Sequence, residues 1–149
     1  MRTVVTFKSD RFNTTEEKPY FINPECYGDD VARWLIGRVR ANGGEAETEP
    51  GQEDFGWYFG FSVDRVAHTL VIGYQDDDPE GYWIGCIERN KGLISGMFGG
   101  RNRDIMHEAV LTIHRALTGT DMCHDVEWHH KADFDAGRNS KGSSDPAAD

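Results

Sequence analysis

Residues 55–74 read FGWYFGFSVDRVAHTLVIGY, two apolar runs split by Asp64-Arg65. Each run alternates in character, as a strand does, and a two-residue connection makes the pair an antiparallel hairpin. With Asp64 and Arg65 as the turn, Val63 faces Val66 and the remaining pairs follow. Phe61 meets His68, Phe59 meets Leu70, Trp57 meets Ile72 and Phe55 meets Tyr74. Period-two alternation places these side chains on one bulky face, which becomes the core face. The reverse face pairs Tyr58 with Val71 and Gly56 with Gly73, beside Gly60, Ser62, Ala67 and Thr69. Backbone left bare at Gly56 and Gly73 lets a chain segment, a partner or a ligand come close. Asp-Arg is poor turn chemistry compared with Asn-Gly.

Outward from the hairpin, RTVVTFK at 2–8 and YWIGCIE at 82–88 also have strand composition. The two faces of 82–88 are both mixed, so its orientation is open. Residues 10–27 are polar, contain Pro19 and Pro24, and read as a long surface connection. A helix follows. Asp29 is placed to cap it, Val31, Trp34, Leu35 and Val39 recur at helical spacing, and Gly43 stops it. Gly37 weakens this helix by up to ~1 kcal/mol relative to alanine, and is a point where the helix can lie close to a sheet. A second helix begins at Asp104, carries Met106, Ala109, Val110, Ile113 and Leu117 as its stripe, and ends at Gly119. Part of the acidic stretch 45–54 can add an edge strand.

The order is strand, helix, strands, helix and a short last element. It predicts an α+β two-layer sandwich: a mainly antiparallel sheet of four to five strands with two helices on one face. Residues 1–130 form one domain. Residues 131–149, KADFDAGRNSKGSSDPAAD, are poor in large apolar side chains and are expected to be a disordered tail.

The 149 residues carry a formal charge of −10. That charge opposes a phosphate backbone and an anionic membrane surface, so neither nucleic acid nor membrane is the expected partner. A protein with a basic surface fits better. MRTVVTFKSD has no apolar run of signal-peptide length, and no stretch approaches the ~20 apolar residues of a membrane span. Cys26, Cys86 and Cys123 are widely spaced and odd in number, which suits reduced thiols in the cytoplasm.

The strongest ligand-like cluster is CHDVEWHH, with Cys123, His124, Glu127 and His129 as the candidate metal set. These are zinc's ligand types, but neither HExxH nor a finger spacing is present. DDDPEGY resembles half a calcium loop through Asp76, Asp78 and Glu80, yet Ile87 stands where the closing glutamate belongs. GLISGMFGGRNRD leads glycine-rich into the second helix without a phosphate-loop spacing, and its Met97-Phe98 tip is a candidate contact point. Nucleophile motifs are lacking. Glu53 and Asp54 are adjacent, so on a strand they point to opposite faces and cannot both address one bond. His107 and His114 sit at the boundary of the second helix, a structural position.

The expectation is therefore a cofactor-free protein-binding module, of the inhibitor or immunity type, acting on a basic partner. Its candidate binding residues are Glu53, Asp54, Gly56, Tyr58, Gly73, Met97 and Phe98. A metal-dependent hydrolase built on 123–130 is the alternative. A small-molecule sensor using the glycine-floored face beside Tyr58 is a further one.

Overall fold

The computed structural model describes residues 1–54, 56–76, 80–89 and 104–149. In chain order they form β1 (Val4–Lys8), α1 (Asp29–Ala41), β2 (Glu45–Ala46), β3 (Gly51–Glu53), β4 (Gly56–Val63) and β5 (Val66–Gln75). Then come β6 (Tyr82–Arg89), α2 (His107–Thr118), β7 (His124–His129) and α3 (Lys131–Asp135). The fold is α+β. All pairs among the described strands are antiparallel, in the order β2-β4-β5-β6-β1-β7, with β3 also on the outer edge of β4. The described residues hold seven strands and three α-helices, against an expected sheet of four to five strands with two helices. The extra strands are two- and three-residue pieces of the acidic edge, too short to show a period.

The hairpin register is the one derived from the Asp64-Arg65 turn, from Val63↔Val66 through Trp57↔Ile72. Asp64 and Arg65 both take positive φ, 50° and 66°, as a tight hairpin turn requires even without glycine. Trp57, Phe59, Phe61, His68, Leu70 and Ile72 are all buried. Each of the large apolar ones contributes roughly 1.5–3 kcal/mol by leaving water. Strand β6 turns Trp83, Gly85 and Ile87 to the same side. Its mixed character has a local cause: a Cβ on Gly85 would sit 2.9 Å from Val5 Cγ1, so the core has room there only for glycine.

Helices α1 and α2 supply Val31, Ala32, Leu35, Ile36, Val39, Ala109, Val110, Ile113, Ala116 and Leu117 to this core. Asp29 lies in the first turn of α1 rather than capping it. Gly28 is the cap, at φ 136°, packed against Trp57 and Trp83. Gly37 does not touch the sheet: it is exposed, and nothing lies within 4 Å of a Cβ built on it. Asp104 does not cap α2 either. Met106 takes that position, and the buried His68 ring accepts its N–H at 3.2 Å. The second nitrogen of His68 donates to Val66 O at 3.1 Å, which settles the tautomer.

Residues 131–149, expected to be disordered, are placed. Phe134 lies 5.5 Å from the His129 ring, and Trp128 and Ser143 exchange backbone hydrogen bonds. The buried guanidinium of Arg2 donates to the carbonyls of Trp128, Lys141, Ala148 and Asp149. A charged donor set thus does what apolar composition cannot. No helix among the described residues is long and apolar enough to cross a membrane.

Candidate functional site

The outer edge of β4 carries β2 and β3, and the loop before α1 folds back onto β3. Ile22 N donates to Gln52 Oε1 at 2.7 Å, Gln52 Nε2 to Asn23 O at 3.4 Å, and Asn23 Nδ2 to Asp54 O at 3.4 Å. Trp57 Nε1 donates to Cys26 O at 2.8 Å. Phe21 is buried among Tyr20, Tyr27 and Trp57. The Tyr20 hydroxyl donates to the buried Asp29 carboxylate, a bond that holds the phenol above its ordinary pKa. The loop is therefore pinned along its length.

Phe21 is turned inward, and its two neighbours are left exposed. Tyr20 is 55% exposed and Ile22 is 73% exposed. Beside them Asn23, Glu25, Cys26, Tyr27, Asp54, Gly73 and Tyr74 line a cleft of about 180 Å³ with no Lys, Arg or His in its wall. Burial pushes the Cys26 thiol up, against the hydrogen bond from Gln52, so it stays protonated and a poor nucleophile.

The expected binding residues divide here. Asp54 and Gly73 line the cleft, and Glu53 is exposed next to it at the end of β3. Gly56 serves the sheet instead: a Cβ on it would sit 2.2 Å from Ile72 O. What rests on its bare backbone is the neighbouring strand. Tyr58 lies over Gly51 of β3, within 2.5 Å of where a Cβ would stand there. Gly60 is likewise covered by the Glu47 carboxylate. At Gly56 and Gly60 the glycine floor is thus filled by this chain itself, while Gly73 is open to the cleft. Met97 and Phe98, the rest of residues 92–103, and Asp78 of the half calcium loop lie outside the described residues.

The 123–130 cluster is not drawn together. Cys123 is buried with the core, where burial pushes its thiol up to about 11. A bulge between Thr6 and Lys8 of β1 falls opposite Asp125, itself at φ 53°, and breaks the alternation. His124 and Glu127 are exposed. His129 is buried, its Nε2 2.8 Å from Thr6 Oγ1, and burial lowers its pKa against the pull of Glu127. Among the described residues no three His, Cys, Asp or Glu side chains converge on a metal position. His114 accepts the Trp128 indole N–H at 3.1 Å, in keeping with a structural role.

Tyr20, Ile22 and Glu25 are not among the residues expected to bind. Their signal was PYFIN, three large side chains between prolines in an otherwise polar loop. No protein-family model matches the chain, and neither curated proteins nor solved structures yield a match.

Proposed function

We propose that the chain is a small acidic protein-binding module, of the inhibitor or immunity type, that engages a basic partner through the sheet edge at 45–54. The observation that carries this reading is the charge of that edge. Glu45, Glu47, Glu49, Glu53 and Asp54 fall within ten residues that contain no Lys or Arg. Among the described residues one of the five is ion-paired, Glu49 with Arg33 at 3.5 Å. A single-sign strip of this kind attracts and orients a cationic surface. The described thiols and buried histidines add support, since each is held by packing or hydrogen bonds rather than poised for chemistry. On this reading the scaffold is a two-layer α+β sandwich that works in the cytoplasm, where its three free cysteines stay thiols.

The test is affinity capture followed by mass spectrometry. One variant neutralises the edge with Gln at 45, 47, 49 and 53 and Asn at 54. A control neutralises Asp64, Asp76, Asp121, Asp145 and Asp149 instead. The expected result is a basic partner captured by the native chain and the control but lost from the edge variant. Equal loss from both variants, or capture indifferent to either, contradicts the reading.

A further inference from the structure

We infer that the docking surface is centred on Tyr20 and Ile22, and that the cleft beside them receives a Lys or Arg side chain of the partner protein. This deepens the reading above and rests on it. Three observations converge. First, Tyr20 and Ile22 are, with Met1, the large apolar side chains left exposed among the described residues. Second, their loop is already ordered: Tyr20–Asp29, Ile22–Gln52, Asn23–Asp54 and Trp57–Cys26 hold it to α1, β3 and β4. An anchor presented on an ordered loop loses little entropy on binding, which is how a few exposed side chains dominate an interface. Third, the adjoining cleft of about 180 Å³ has the chemistry of a cation socket.

Glu25 and Asp54 stand at the cleft as carboxylates, and no basic side chain pairs with either among the described residues. Tyr27 and Tyr74 also line the cleft, whose exposed wall is mainly polar. A guanidinium can bond a carboxylate through two N–H groups. Gly73 narrows nothing, since it projects no side chain into the space. The partner segment that fits places an apolar residue on Ile22 and a basic residue in the cleft.

The test uses the full chain, labelled with 15N, and the synthetic peptide Ac-KLRKLRKL-NH2. Its comparison replaces Lys by norleucine and Arg by citrulline, keeping shape and removing charge. The expected result is that amide shifts cluster at 20–27, 53–54 and 73–75. Ile22→Ala and the pair Glu25→Gln with Asp54→Asn should each weaken binding about ten-fold, a loss of hot-spot size. The uncharged peptide should lose at least as much. Ile22 offers only its backbone N–H to Gln52, so the Ala variant keeps the loop's bonds. Shifts spread over the whole acidic surface, with Ile22→Ala binding unchanged, overturn the inference. If the 45–54 edge variant then still loses the peptide, the acidic-edge reading stands and the Tyr20–Ile22 centre alone falls.

Discussion

The buried imidazole of His68, in the middle of the sheet, accepts the backbone N–H of Met106 at the start of α2 at 3.2 Å. It does so only while neutral. His114 is tied in the same way to the Trp128 indole, and His129 is shut beneath Phe134. Burial lowers the pKa of all three below the ordinary 6.5. As the pH falls through about 6.5, the unfolded chain takes up protons that the folded chain refuses. Stability is therefore complete above that value and declines toward the lower folded-state pKa values. Urea melts at pH 8 and pH 5.5 should show the lower midpoint at pH 5.5, with part of the difference removed by His68→Phe. Equal midpoints would contradict neutral, accepting histidines.

Two glycines should respond oppositely to alanine. Gly37 is exposed in α1 with open space at its Cβ, so Gly37→Ala should stabilise by roughly 0.5–1 kcal/mol. At Gly56 a methyl group would meet the Ile72 carbonyl, so Gly56→Ala should cost about 1–3 kcal/mol or prevent folding. Denaturant titration of both variants checks the pair. A tolerated methyl at 56 would mean that β4 and β5 are not in this register.

The β4–β5 turn offers a gain. Asp64 and Arg65 hold positive φ without being glycine, which costs on the order of 1 kcal/mol at each. Asn at 64 with Gly at 65 should raise stability by about 1–2 kcal/mol. The midpoint in urea reads this directly.

Arg2 is predicted to be the clasp of the C-terminal segment. Arg2→Ala removes four charge-assisted bonds to carbonyls, each ordinarily contributing roughly 1.5–3 kcal/mol. Hydrogen exchange should speed up at Ser143 and across 131–149 while Phe59 and Leu70 stay protected. Unchanged exchange at Ser143 would show that the segment holds without Arg2.

How far the fold was legible depended on periodicity. The hairpin was readable because one turn position determines every pair in a two-residue loop, and α1 and α2 were readable from their stripes. The edge strands β2 and β3 have no period to detect. The tail escaped because it is held by Arg2, at the other end of the chain, and by backbone pairing with Trp128. At the proposed site, Glu53, Asp54 and Gly73 were expected as a charged edge beside bare backbone. Ile22 and Glu25 were not, because their proximity to Asp54 depends on Asn23 and Gln52, which no local pattern announces.

The most direct measurement of the central claim is hydrogen–deuterium exchange on the native chain, free and bound to the basic partner that it captures. Protection should rise at 20–27 and 45–54 and stay level across α1, α2 and 131–149. Protection gained on the helices or the C-terminal segment, with the 20–27 loop and the acidic edge unchanged, would contradict it.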